Sequence, residues 1–547
     1  MDTVPSRLLA AQVELRHDNP FDHIDEDIER LIPREVSLRA LSAEFRSQPL
    51  WTDRLVDRES VKSWLRERTL AFFDTDDTSA GKMYLWNRRD IDFLYEELEN
   101  IKKYVVALKE KGEEVEPDLE GVWRVDGVLG DAERAAIADA VTQVGKEQDE
   151  EDNEQTKPGE KAEYRYSVSS QTLHGYEHTL DGYEYNYSGP DDDDSDADGE
   201  DADAPMAATW DLLDPFLFPV IYYSTLTLDN GEFESIPGAP GFRDEGVDQY
   251  FCWLPSEFKV SEDGNSTKIA SYINNLSLPG HDVLMHPILE NVFTKLVPAF
   301  NHVLADLADR SWCRKRCPGT NPLYCMDSDS FVHRWAPPNI TAARNIHGKT
   351  LAVVTRMIEI KLTPAEPTHS SRDWHVDGMA NECIVATGVY HYSHENVTDW
   401  SMCLRRRSMF SRETRPPDRS DQRDVGAVLV PENRGVVFPN MCQHCLSPFS
   451  LVDKSRSGFT KMLIFHIFDP GRSHYTTRTI PPQQPRQYER LLRHTRLGRL
   501  PEEIFQLIAQ YVLGNTITST KAEEYRGRMI RERNAMLEPL TEDWLRS

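Results

Sequence analysis

The chain has 547 residues, enough to bury a sizeable core in one large domain or in several ordinary ones. Its 62 Lys and Arg stand against 92 Asp and Glu, a formal net charge of −30 that disfavours nucleic acid, anionic lipid and polyanionic substrates as partners. The start, Met1-Asp2-Thr3-Val4-Pro5, has no basic stretch leading into an apolar one, no apolar run approaches the roughly 20 residues that span a bilayer, and eight cysteines are too few here for a disulfide framework. A soluble, cytoplasmic protein with reduced cysteines is expected.

Residues 1–110 read as an N-terminal helical region, because Val36-Ser-Leu-Arg-Ala-Leu41 and Ile91-Asp-Phe-Leu-Tyr-Glu-Glu-Leu98 repeat apolar residues at helical spacing among charges. Trp51, Trp64 and Trp86 are assigned to core packing. Residues 111–204 form a mixed region with acidic insertions. Segments 111–118, 145–163 and 191–203 hold too little apolar surface to offset their ordering entropy and are expected to be mobile.

A third region, 205–485, carries the expected core. It opens with an extended stretch at Phe218-Pro-Val-Ile-Tyr-Tyr223 and a helix at Ile288-Leu-Glu-Asn-Val-Phe-Thr-Lys-Leu-Val297, with Ser271-Tyr-Ile-Asn-Asn-Leu276 between them. Four strands are then predicted, at Arg356–Leu362, Cys383–Tyr392, Gly435–Phe438 and Lys461–Phe468. Short strands with Pro and Gly punctuation point to a barrel or a double-sheet β core. Residues 486–547 return to helix, including Pro501-Glu-Glu-Ile-Phe-Gln-Leu-Ile-Ala-Gln-Tyr-Val512.

The informative motif is Trp374-His375-Val376-Asp377-Gly378. On an extended chain residues i and i+2 share a face, so His375 and Asp377 can present an imidazole and a carboxylate to one point. Two ligands do not define a site; His444, following the Gly435-Val-Val-Phe-Pro-Asn440 strand, is the candidate third. Two imidazoles and one carboxylate on one side leave the opposite coordination positions open, the arrangement of non-haem iron(II) oxygenases. A lone His-x-Asp pair would be an ordinary structural feature; the third histidine in its own strand context shifts the reading to a metal.

Several segments then resemble a known family: Trp253-Leu-Pro-Ser256, Ser271–Leu276, Trp374-His-Val-Asp-Gly-Met-Ala-Asn-Glu382, Phe438-Pro-Asn440 with Gln443-His444, Asp469-Pro470 and Pro481-Pro-Gln483. The chain resembles a large fungal family of unknown function with a prolyl-hydroxylase-like 2-oxoglutarate/iron(II) oxygenase core. The resemblance implies an α+β fold with a double-stranded β-helix (jelly-roll, cupin-like) core, with His375, Asp377 and His444 as iron ligands. It also implies a basic residue at the start of the strand after His444 to pair with the distal carboxylate of 2-oxoglutarate.

An Arg-Lys pair is expected there, but the chain reads Gly458-Phe459-Thr460-Lys461, so Lys461 is the co-substrate candidate if its face points inward. Arg356, Arg334 and Arg456 are the substitutes, and Tyr272 and Asn274 are further candidates for hydrogen bonds to co-substrate or substrate. The reaction expected is oxidation of a C–H bond of a small polar or amino-acid-like metabolite by dioxygen, as hydroxylation, desaturation or ring closure. The rival readings are a zinc hydrolase on the same three ligands and a non-catalytic binding module docked through the acidic tract. Cys313, Cys317, Cys325 and His333 lack paired Cys-x-x-Cys spacing and are assigned as structural, and His466 is read as a core histidine on a strand.

Overall fold

The computed structural model describes residues 33–71, 88–155, 208–229, 232–238, 249–276, 281–309, 335–341, 345–370, 374–407, 422–513 and 516–545. The tract 191–203, the four residues of the weighed zinc cluster, Arg334 and Trp86 lie outside them.

Four helices open the described chain: α1 (Pro33–Ser47), α2 (Trp51–Arg54), α3 (Arg58–Ala71) and α4 (Arg88–Glu110). Leu38, Leu41, Phe45, Trp51, Leu65, Leu94, Leu98 and Val105 bury one apolar stripe from each against the others. The hairpin β1 (Val115–Pro117) and β2 (Trp123–Asp126) follows, then α5 (Asp131–Gln155). Both depart from expectation. Glu116 of segment 111–118 is drawn in by Arg124 at 3.0 Å, Lys109 at 2.8 Å and the Trp51 indole, so Val115–Pro117 within that stretch is a paired strand. Segment 145–155 continues α5, whose Ile137, Ala140, Val141 and Val144 anchor it to the core ahead of its polar end.

Seven short strands come next: β3 (Ala208–Leu213), β4 (Val220–Ile221), β5 (Leu226–Asp229), β6 (Glu232–Ser235), β7 (Phe251–Cys252), β8 (Ser256–Val260) and β9 (Thr267–Ile269). The long helix α6 (His281–Asp309) precedes β10 (Thr350–Leu362), β11 (Thr368–His369), β12 (Ile384–Glu395), β13 (Ser401–Arg407), β14 (Gln422–Leu429), β15 (Arg434–Pro439), β16 (Cys442–Leu446), β17 (Phe449–Ser450) and β18 (Gly458–Phe468). Three helices, α7 (Pro485–His494), α8 (Glu502–Leu513) and α9 (Ser519–Leu545), close the chain. Among the described residues no helix is long and apolar enough to cross a membrane.

Among the described residues all the strand pairings are antiparallel. A large sheet runs β1-β2-β15-β12-β18-β10-β8-β9, with β3 also on β10, and a smaller one runs β14-β13-β16. Period-two alternation divides the large sheet into two faces. Val353, Met357, Leu463, Phe465 and Ile467 pack on α6 through Leu289, Phe293, Leu296 and Phe300. The other face sends Ile358, Ile360, Val389, Val436, Phe438, Met462 and Ile464 against Met402, Leu404, Val428 and Cys442 of the small sheet. Central strands are therefore apolar on both sides, which is why Cys383–Tyr392 reads as a near-continuous apolar run. Each such side chain contributes about 1.5–3 kcal/mol by burial.

One polar pocket under α6 has a measurable consequence. His302 Nδ1 lies 2.6 Å from the Pro298 carbonyl and Nε2 lies 2.9 Å from the Tyr104 hydroxyl. Nδ1 must donate to the carbonyl, and burial pushes the ring down to about 4, so it is neutral near pH 7 and Nε2 accepts from the Tyr104 hydroxyl. Because this folded value lies below the unfolded value near 6.5, the unfolded state binds more protons between the two. His302 therefore removes stability as pH falls from about 6.5 to about 4. The expected outcome is that His302→Gln loses roughly 1.4 kcal/mol less than wild type per pH unit of acidification in that window, read from urea denaturation at pH 6.5 and 4.5.

Candidate metal centre

The segment Trp374–Glu382 is too short of apolar side chains to hold itself, and four separate contacts fix it. His375 and His444 exchange both backbone N–H···O bonds, at 3.2 and 2.9 Å, so the ligand-bearing backbones pair directly. Asn440, in the turn before β16, accepts from the Asp377 N–H at 3.2 Å and donates to the Asp377 carbonyl at 2.9 Å. Glu382 accepts from the Met379 N–H at 2.6 Å and the Trp253 N–H at 2.7 Å. Arg533, on α9, donates to the Val376 carbonyl at 2.6 Å.

Gly378 ends the ligand run with φ +74°, and a Cβ there would lie 2.4 Å from Glu382 Oε2 and 2.5 Å from Ile384 Cδ1. Only glycine combines the left-handed backbone with that approach.

Held this way, His375, Asp377 and His444 offer one ligand atom each within 4.8 Å of one another. The two rings are 4.3 Å apart, and His444 Nε2 is 3.6 Å from Asp377 Oδ2. Thr387, which the sequence does not single out, and His466, expected to be a core histidine, complete the surroundings. Thr387 on β12 donates to Asp377 Oδ2 at 3.3 Å and lies 3.1 Å from His466 Nδ1, which is itself 3.5 Å from Asp377 Oδ2. A hydroxyl has one proton, so with Thr387 donating to Asp377, His466 Nδ1 donates to the hydroxyl oxygen. His466 thus faces the centre instead of serving as a plain core residue, although it is 99% buried.

The electrostatics favour a cation. Burial opposes ionisation of the Asp377 carboxyl, but His466, His444 and His375 together hold it well below the usual carboxylate range. Burial lowers His444 against the attraction of Asp377 and pushes His466 down to about 4. An ionised carboxylate among imidazoles driven toward neutrality is a buried negative charge that a divalent ion would offset. Nearby, burial pushes the Glu382 carboxyl up to about 8 against its two N–H donors.

The co-substrate candidates fare differently. Lys461 lies on the face opposite His466, where it pairs with Glu359 at 3.1 Å; Thr460 is the inward residue and bonds the Trp400 indole and His391. The side chain expected to carry the charge therefore points away from the centre, because alternation gives position 460 the inward face. Tyr272 donates to the Ile480 carbonyl at 3.0 Å, and the Asn274 amide to the carbonyls of Leu217 and Phe218, so both are tied into loop packing. Arg356 shares the His466 face of the sheet, but Asp211 on β3 holds it at 2.8 and 3.2 Å.

A family model described as "Protein of unknown function (DUF4246)" matches residues 194–490, more than half of the chain. No curated protein matches. Among solved structures, the selenomethionine-labelled Fe(II)/(alpha)ketoglutarate-dependent dioxygenase TqaL is similar at 12% identity, over 41% of this chain and 70% of its own, with a TM-score of 0.21. IDO from Bacillus thuringiensis is similar at 12% identity over 40% and 73%, with a TM-score of 0.22. An oxidoreductase of the 2OG-Fe(II) oxygenase family from Burkholderia pseudomallei is similar at 9% identity over 47% and 75%, with a TM-score of 0.18. Likenesses this distant carry no weight for the chemistry, which rests on the residues themselves.

Proposed function

This chain belongs to the DUF4246 family, and we propose that it is a non-haem iron(II)- and 2-oxoglutarate-dependent oxygenase acting on a C–H bond of a small polar or amino-acid-like metabolite. The observation that carries the reading is the donor set of half-buried His375 and buried Asp377 and His444, gathered within 4.8 Å around an ionised carboxylate. One carboxylate and two imidazoles suit iron(II) and leave positions free for further ligands. When bound with a 2-oxo acid, the iron would supply activation of dioxygen for oxidation of the substrate.

The chain's own residues have defined parts in this reading. His375 and His444 would coordinate through nitrogens whose spacing is set by their shared backbone pair. Asp377 would supply the anionic donor, oriented by the Thr387 hydroxyl and by the two bonds from Asn440 to its backbone. The apolar interior around Phe438, Ile464 and Trp400 would exclude bulk water from the reaction.

The two facing antiparallel sheets are proposed to be a double-stranded β-helix, with residues 205–485 as the oxygenase core. The helices of 1–110 and 486–547 would flank it, and the 111–204 region lends its hairpin to the large sheet through β2 and β15.

The test is spectroscopic. Anaerobic protein loaded with iron(II) and titrated with 2-oxoglutarate is expected to develop a weak visible metal-to-ligand charge-transfer band. Retained zinc with no band would move the assignment to water activation on the same ligands. Iron binding that is unchanged in His375→Ala would overturn the metal site itself.

A further inference from the structure

With Lys461 turned away and Arg356 already neutralised by Asp211, the proposed site lacks the cation that its co-substrate requires. The buried arginines of this protein offer one. Arg124, Arg356 and Arg434 each face a carboxylate, from Asp118, Asp211 and Asp126 respectively, as does the half-buried Arg526 from Asp214, and the buried Arg46 donates to the carbonyls of Pro117 and Asp118. Arg533 is 97% buried, yet among the described residues no carboxylate pairs with it; one bond to the Val376 carbonyl is its polar contact, and its Nε has no partner.

A buried guanidinium on which the carboxylates of Asp377 and Glu382 act only from a distance, with no ion pair, is costly enough to demand a reason. Packing does not supply one. Ala522, Met529 and Ile530 form the stripe that α9 buries, and position 533 continues that stripe, where an apolar residue would serve packing better.

Its neighbours lead to the surroundings of the metal ligands. The guanidinium lies 5.9 Å from the Phe216 ring centre; Phe216 meets Trp253 edge to face at 5.2 Å; and Trp253 lies 5.2 Å from the His466 ring. Trp253 Nε1 and His466 Nε2 are buried and, like Arg533 Nε, unpartnered. Arg533 Nε and Trp253 Nε1 are two buried N–H donors without a protein acceptor, the pattern of a ligand subsite, whereas His466 Nε2 is itself an acceptor while Nδ1 carries the proton and stands outside it. Arg533 and Trp253 bring N–H donors, so the ligand must be an acceptor, and the positive charge selects an anion.

We propose that Arg533, assisted by Trp253 Nε1, binds the distal carboxylate of the 2-oxo acid whose other end is held at His375, Asp377 and His444. The anchoring charge thus comes from the C-terminal helix and replaces the strand position occupied by Thr460. The same guanidinium, through the Val376 carbonyl, couples that carboxylate to the backbone between two metal ligands. This inference rests on the oxygenase reading above.

The experiment compares two acids in the full-length chain loaded anaerobically with iron(II). 2-Oxoglutarate and 2-oxobutanoate, which lacks the distal carboxylate, are titrated into wild type, Arg533→Gln and Arg533→Lys while the charge-transfer band is followed. Arg533→Gln is expected to weaken 2-oxoglutarate about 10- to 100-fold, to leave 2-oxobutanoate within about 3-fold, and so to erase the preference between them. Arg533→Lys, which keeps the charge, is expected to retain part of that preference.

Equal weakening of both acids would reduce Arg533 to a support for the Val376 backbone and overturn the proposal, as would unchanged affinity for both. The ratio within one variant is independent of partial loss of fold. A wild-type protein that gives no band with either acid defeats the oxygenase reading and this inference together, whereas a wild-type band with an unaltered ratio in Arg533→Gln defeats this inference alone.

Discussion

Asp377→Ala is expected to lower affinity for iron(II) by more than about 100-fold, because it removes the only anionic donor of the cluster. Loss of a residue that merely orients a ligand costs 10- to 100-fold in metal affinity, so loss of a ligand must cost at least the upper figure. The variant also separates binding from folding. In the metal-free protein Asp377 is a desolvated charge held by three imidazoles, and replacing it with a methyl group relieves that burial while removing the attraction. The metal-free fold should therefore survive.

Thermal unfolding under anaerobic conditions, with and without iron(II), measures this directly. A ligand that binds only the folded state stabilises it by about 2.7 kcal/mol at a concentration 100 times its Kd, so wild type should melt higher with metal, whereas Asp377→Ala should not respond at the same concentration. A variant that kept the full metal-induced shift would sink the assignment of the centre, and one that failed to fold without metal would contradict the account of its electrostatics.

What could be read from the sequence followed from local periodicity. His375 and Asp377 share a face because a strand repeats every two residues, and the apolar runs at Arg356–Leu362, Cys383–Tyr392 and Lys461–Phe468 gave β10, β12 and β18 for the same reason. Periodicity does not say which face is inward. Lys461 and Thr460 differ by one residue and by the whole thickness of the sheet, and only the opposing layer, with Trp400 and His391 in contact with Thr460, fixes the choice.

The acids of segment 111–118 look solvated in sequence, whereas Arg124, eight residues beyond Glu116, draws that carboxylate into a strand. Thr387 left a faint signal, a hydroxyl interrupting an apolar run, and Asn440 another, a polar residue between two strands. Arg533 left none: one of four arginines in a charged C-terminal helix gains meaning only when the fold carries that helix back to Val376.

The second large effect is expected at Asp211, whose carboxylate grips Arg356 through two bonds, at 2.8 Å to Nη2 and 3.2 Å to Nε. Both side chains are more than nine-tenths buried, so the pair is bidentate and desolvated, and Asp211 holds the Arg356 guanidinium charged despite its burial. Asp211→Ala leaves that charge buried alone and is expected to destabilise the protein by about 3–5 kcal/mol, measured as a fall in the urea midpoint at constant slope. The double variant Asp211→Leu with Arg356→Met removes both charges and should recover most of the loss, since buried pairs contribute little relative to apolar replacements of similar volume.

The same substitution should reach the metal centre. Arg356 pairs across the sheet with Ile464, one inward position from His466, and stands near enough to Asp377 to feel its charge. Released from Asp211, it is left with Asp214, which Arg526 already holds, and with Asp377, and it competes with the metal for the Asp377 carboxylate. Asp211→Ala should then weaken iron(II) binding by about 10-fold while the double variant does not, because only the single variant leaves a free cation facing the ligand. A double variant as weak in metal binding as the single one would mean that Asp211 acts on the site through packing, and the electrostatic division of labour between Arg356 and Arg533 would have to be given up.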